Sequence, residues 1–236
     1  MPSTPKALKD LRIPECYTKI GLMEKFLLHD SGVDKEDRFL IFSTEKNLKT
    51  LQNCSSWYCD GTFSVAPLIF TQMYSIHCEF QSEIMPMVYV LMSKMKKENY
   101  VEVFEALNNL NPNLSPTSIM SDFEKAAISA FADIYPLAEL RGCFFHFSQC
   151  LWRKFSKIPE GLNFYKMDPN FTLHLKCLPA LAFVPVSEVP DAYEKLVASS
   201  FYSQNEFLAP LLQYFEETWV GKQTEKGRRQ PAYNLQ

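Results

Sequence analysis

Two aspartates in this sequence stand where a carboxylate is costly. Asp60 lies within WYCDGTFSV (57–65), a run of aromatic and β-forming residues that reads as a strand, and Asp122 closes TSIMSD (117–122), a second short strand. An acid set among apolar neighbours has to be compensated by a partner or an ion. The acids are 62 positions apart, enough chain for hairpins and a helix to return to a neighbouring strand. Two carboxylates on adjacent strands offer hard oxygen ligands to Mg²⁺ or Mn²⁺. Ions held this way clamp the attacking and leaving oxygens of an in-line phosphoryl displacement, and they acidify the water or hydroxyl that attacks. Each acid also has a plain structural reading, because a DGT step can be a turn and an Asp before Phe-Glu-Lys can cap a helix. The pair, on the right elements in the right order, favours chemistry over two coincidences.

Other residue types could add to such a site. Cys143 and His146 stand at i, i+3, half of a zinc site, and His174 and Cys177 repeat the spacing in HLKC. Chance produces such spacings readily, so the zinc reading is the weaker one. Gln149 follows in the same segment. Basic side chains cluster at Lys94, Lys96 and Lys97, at Arg153, Lys154 and Lys157, and at Lys222, Lys226, Arg228 and Arg229. The first two groups flank the acids and are candidate phosphate contacts, with a solvated charged face as the alternative. Trp219 is a candidate for stacking on an unpaired base, against a plain core role for it and for Trp57 and Trp152.

The elements that must position these residues follow from periodicity. RFLIFST (38–44) reads as a strand and EKNLKTLQN (45–53) as a short helix. Runs 57–65, 70–80 and 84–93 read as three consecutive strands, the last apolar enough to be buried on both faces. In 99–110, Tyr100, Val103, Phe104, Leu107 and Leu110 make the stripe of an amphipathic helix. Strand 117–122, Ala-rich helix 123–135, strand 139–145 and helix 146–157 complete a β-β-β-α-β-α-β-α order. That is the order of the RNase H-like fold, an α/β architecture with a mixed five-stranded sheet. Residues 1–37 read as a linker with a partial helical segment near 21–34, 38–160 as the core, 161–221 as a helical insertion, and 222–236 as a basic disordered tail.

The chain has 236 residues, 47% of them hydrophobic, so it can bury a sizeable core. The net charge of −3 disfavours a dedicated nucleic-acid-binding domain, which is usually basic, without excluding a local basic stripe. There is no apolar N-terminal leader and no 18-residue apolar stretch, and the seven cysteines lack regular spacing. Free thiols in a reducing nuclear or cytosolic setting are the expectation.

The runs WYCDGTF, TQMYSIHC, PMVYVLM, IMSDFEKAAISA and GCFFHFSQCLWRKF together resemble the MULE (Mutator-like element) transposase family. The resemblance covers about residues 38–157, and LLQYFEETWVG (211–221) is similar to the segment that follows the family's helical insertion. It implies DNA strand cleavage and transfer by a DDE-type domain, with Asp60 and Asp122 as the first two acids and Mg²⁺ or Mn²⁺ as cofactor. It further implies that Cys143 and His146, followed by Gln149, are motif residues that position the site or the DNA. Transposon ends and target DNA would be the partners, and a homo-oligomer the working form. The family's third acid is expected past the YFEETWVG run and so beyond Gln236; Glu194, Glu206, Glu216 and Glu217 are the remaining acids of that region, none in a family-like context. A non-catalytic DNA- or protein-binding module derived from a transposon is the alternative.

Overall fold

The computed structural model describes residues 5–21, 24–225 and 227–233, in two compact units, Met1–Arg141 and Gly142–Gln236. Among the described residues no helix is long and apolar enough to cross a membrane.

The first unit is built on a seven-stranded sheet. Its small opening ladder is β1 (Lys19–Ile20) with β2 (Glu24–Lys25). The sheet strands are β3 (Leu27–Asp30), β4 (Phe39–Phe42), β5 (Ser56–Thr62), β6 (Gln72–Phe80), β7 (Glu83–Met92), β8 (Ser118–Ser121) and β9 (Glu139–Gly142). They lie in the order β3-β4-β7-β6-β5-β8-β9. Helix α1 (Glu45–Gln52) precedes β5, α2 (Lys97–Leu110) links β7 to β8, and α3 (Lys125–Ile134) links β8 to β9. The run from β5 to β9 therefore keeps the β-β-β-α-β-α-β order read from periodicity.

The five-strand expectation is corrected to seven. The additional strands are β4, anticipated as a strand but not as part of this sheet, and β3. The first half of 21–34 has apolar residues at helical spacing, yet Leu27, His29 and Asp30 pair with Phe42, Ile41 and Leu40. The open edge of β4 supplies a ladder that outweighs a weak local preference. Residues 22 and 23 of the expected helical segment lie outside the described residues, as do residues 1–4 of the linker.

Local rules explain the meander. The β6–β7 hairpin has a two-residue loop, Gln81 and Ser82, both in the left-handed region at φ 54° and 64°, as a turn matched to strand twist requires. Pro86 is tolerated in β7 because β4 pairs only with Tyr89–Met92, leaving the Pro86 side of the strand without that neighbour. Thr44 caps α1, its hydroxyl oxygen accepting the Asn47 N–H at 3.0 Å. The α2 stripe buries Tyr100, Val103, Phe104 and Leu107, while Leu110 at the helix end is half exposed. Ala127 and Ala130 of α3 are fully buried, and their small side chains let Phe131 stack on Phe104 with ring centroids 4.4 Å apart.

Arg38 ties the N-terminal segment to the sheet. Only 2% exposed, it donates to both Asp30 carboxylate oxygens at 2.8 and 2.6 Å and to the carbonyls of Leu8 and Leu11. Burial opposes ionisation of Asp30. The Arg38 hydrogen bond, the Gly32 N–H and the nearby positive charges outweigh it, and the carboxyl is held below its ordinary value. A depressed folded value gives stability that is present above the unfolded value, near pH 4, and lost as the pH falls through the folded one. Limited proteolysis within residues 8–12 should therefore accelerate on acidification below about pH 4, and Arg38→Gln should show the faster cleavage already at neutral pH.

The second unit is helical. It contains α4 (Phe144–Phe155), α5 (Pro159–Met167), α6 (Pro169–Ala180), α7 (Val189–Val197), α8 (Ser200–Gln204) and α9 (Ala209–Phe215), the last running into a π turn, Glu216–Val220. Its core gathers Phe147, Leu151, Phe155, Phe171, Leu178, Tyr193, Leu211 and Phe215. The segment 139–145, read as one strand, stops at Gly142, and α4 starts at Phe144. The basic segment expected to be disordered carries a short ladder, β10 (Gln223–Thr224) with β11 (Gly227–Arg228). Lys226 and residues 234–236 of that segment lie outside the described residues.

Candidate functional site

Both aspartates belong to the first unit, and the parallel ladder between β5 and β8 relates them. Ser56, Trp57 and Tyr58 stand opposite Ser118, Ile119 and Met120. Every pair in that register is 62 residues apart, the spacing that also separates Asp60 from Asp122, and the ladder itself ends at Tyr58 and Met120. Neighbouring strands lie about 4.8 Å apart, and in-register positions of the same parity share a face. Asp60 is inside β5, so the DGT step is strand and not turn. Asp122 is the first residue after β8, a correction to its expected place as the strand's last residue.

Asp122 does not cap α3 either. The N-cap is Glu124, which makes no side-chain capping bond. Asp122 Oδ1 instead accepts the Glu124 N–H at 3.2 Å, and Ser121 Oγ donates to the Asp122 carbonyl at 3.0 Å. On the neighbouring strand, Ser75 Oγ donates to the Asp60 carbonyl at 3.3 Å. The acids' fields meet at one buried group. The Cys59 thiol is raised first by burial, opposed by a hydrogen bond with Tyr74, and raised further by the charges of Asp122 and Asp60.

A buried polar chain that sequence reasoning missed supports this corner. Gln72 Nε2 donates to the Tyr100 hydroxyl, which donates to Glu124 Oε2 at 2.6 Å. Burial raises Glu124 above its ordinary value, the Tyr100 hydrogen bond opposes this, and the charge of Asp122 adds to it. Tyr100 was legible only as a core position of α2, because a stripe reports burial and not the hydroxyl's partner. The signal that could have found the chain was Gln72 and Glu124, two polar residues set against apolar neighbours.

Gly61 is fixed by the same chain. A Cβ at that position would overlap Gln72 Oε1. Gly61→Ala should displace the Gln72 amide from Tyr100 and destabilise the chain by about 1–3 kcal/mol, read by thermal or urea unfolding. Tyr100→Phe, which removes the hydroxyl without adding volume, should lose stability to Gly61→Ala by much less than wild type does.

The first lysine group lies at the same end of the sheet as the acids. Thr62 stands opposite Met73, and Met73 opposite Leu91, so β7 ends beside the end of β5. Lys94 and Lys96 follow there, both exposed. Lys97 is engaged, its ammonium 2.7 Å from Asp133.

The other candidates lie in the second unit. Cys143 precedes α4, its carbonyl accepting the Phe147 N–H at 3.0 Å, and the half-buried His146 sets its ring edge-on to Phe145 at 5.5 Å. Gln149 accepts from Arg153 at 3.1 Å. Lys154 lies over the Tyr214 ring at 5.5 Å, and Lys157 is exposed. The two Cys/His pairs do not assemble a zinc site: His174 stacks on Phe201, and among the described residues no group of three or more His, Cys, Asp or Glu side chains could hold a metal. Trp219 takes the core role and not the stacking one. It is 3% exposed, edge-on to Phe147 at 4.9 Å and stacked on Tyr233 at 5.2 Å, so no face is left for a base. Among the remaining acids, Glu194 pairs with Arg228 and Glu217 with Lys222, while Glu206 and Glu216 lie in the short turns that flank α9.

Comparison with known proteins adds a family: residues 56–150, from the start of β5 into α4, match the family model of the MULE transposase domain. No curated protein matches the chain.

Proposed function

We propose that this chain acts on DNA by metal-dependent phosphoryl transfer, a reading supported by the match of residues 56–150 to the MULE transposase domain. The β5-to-β9 core is then an RNase H-like domain, a reading supported by the element order and by the parallel pairing of β5 with β8. The observation that carries the proposal is the placement of Asp60 in β5 and of Asp122 just past the end of its parallel neighbour β8.

Asp60 and Asp122 would hold Mg²⁺ or Mn²⁺, which when bound supplies charge neutralisation at the phosphate and an acidified attacking oxygen. The chain's own part is positioning. The Glu124 N–H orients the Asp122 carboxylate through Oδ1, and the Gln72–Tyr100–Glu124 chain holds the loop that carries Asp122. Lys94 and Lys96 offer phosphate contacts that fix the DNA backbone without reading its sequence. Cys143, His146 and Gln149 are proposed as motif residues of the second unit that orient the substrate.

The test is conversion of supercoiled plasmid to nicked circles. Nicking with Mn²⁺ that stops on chelation supports the proposal. Metal-independent nicking removes the two acids from the mechanism, and DNA retention without nicking favours the second reading, a non-catalytic binding module. That second reading draws on the lack of a three-ligand metal group among the described residues.

A further inference from the structure

Cys54 and Cys78 are nucleophilic side chains that the proposed chemistry does not use. Cys54 follows α1 and is half-buried, whereas Cys78 sits in β6 opposite Trp57 and is fully buried. Their Sγ atoms are 2.8 Å apart. The Cys54 sulfur also contacts the Thr50 carbonyl at 3.2 Å and the Glu79 carbonyl at 3.4 Å. It is thus held by the helix on one side and by the sheet on the other, aimed at its partner. A disulfide has its sulfurs about 2.05 Å apart, so closing the pair asks the two sulfurs to approach by under about 1 Å.

We propose that Cys54 and Cys78 form a redox-active dithiol that closes to an intramolecular disulfide under hydrogen peroxide. Burial, then the hydrogen bond and charge of the neighbouring Cys54 sulfur, push the Cys78 thiol up to about 12. Cys78 is therefore the protonated, sheltered partner, and the half-exposed Cys54 meets the oxidant. Its thiolate attacks the peroxide, breaking the O–O bond and giving a sulfenic acid with loss of hydroxide. The Cys78 sulfur then attacks the sulfenic sulfur, the new S–S bond replaces S–O, and the Cys78 proton leaves with the hydroxyl as water. Overall two thiols lose two electrons and one peroxide becomes two waters. The bond joins positions 24 residues apart, pinning the α1–β5 connection to β6. By constraining the unfolded chain it should raise the melting temperature by about 5–15 °C.

Treating the full chain with hydrogen peroxide, alkylating residual thiols and mapping peptides without reductant tests this. The expected product is a Cys54–Cys78 linked peptide that dithiothreitol removes, with a melting temperature that rises on oxidation and returns on reduction. Cys54→Ser, at the half-buried position, should yield no linked peptide and no rise. Recovery of Cys54 as a sulfinic acid with Cys78 still alkylatable would overturn the proposal, as would a linkage of Cys54 to any other cysteine. If the variant fails to fold, the wild-type map alone decides between these results.

Discussion

Asp60→Asn and Asp122→Asn should each lower Mn²⁺-dependent plasmid nicking by at least about 10²–10³-fold, the range seen when one electrostatic stabiliser of a transition state is removed. Asparagine keeps the shape of the side chain and removes its charge, so the loss reports on charge and not on folding. If the two acids act as a unit, the double variant should be barely worse than either single one, because such residues are not additive. Wild-type nicking in either variant would take that residue out of the mechanism. Equal melting temperatures across the series would show that the fold is intact in the comparison.

This pair was also the most legible part of the site. A charged residue inside WYCDGTF and another closing TSIMSD stand out against their neighbours, and the strands around them have clear periods. The register was not legible, since nothing local specifies which strands pair. The same holds for β3. Its Leu27, Leu28 and His29 carry a spacing compatible with a helix, and only the open edge of β4 decides otherwise. For Trp219 both a core and a stacking role were open from sequence, and the contacts with Phe147 and Tyr233 decide for the core. Gln72, Tyr100 and Glu124 were missed because a hydrogen-bonded chain across three elements leaves no spacing signature.

The second large effect concerns the support beneath the acids. Phe104 is completely buried, stacked on Phe131 and tilted against Tyr74, Tyr100 and Tyr135. It joins α2 to α3 and to the inner face of the sheet. Phe104→Ala should cost about 3–5 kcal/mol, the lost transfer energy together with the cavity left behind. Rings on four sides limit how far the site can collapse, which places the value toward the upper end of that range. Urea unfolding monitored by tyrosine and tryptophan fluorescence gives the number. Phe104→Leu, which leaves less empty volume, should cost clearly less. A cost below about 1 kcal/mol for the alanine variant would mean that α2 and α3 are not packed as described.

The most direct measurement of the central claim is a calorimetric Mn²⁺ titration of the wild-type chain beside the Asp60→Asn/Asp122→Asn double variant at matched pH and salt. The account predicts a saturable binding isotherm for the wild type that vanishes in the double variant. Superimposable isotherms would contradict it, because the ion would then be held elsewhere or not at all.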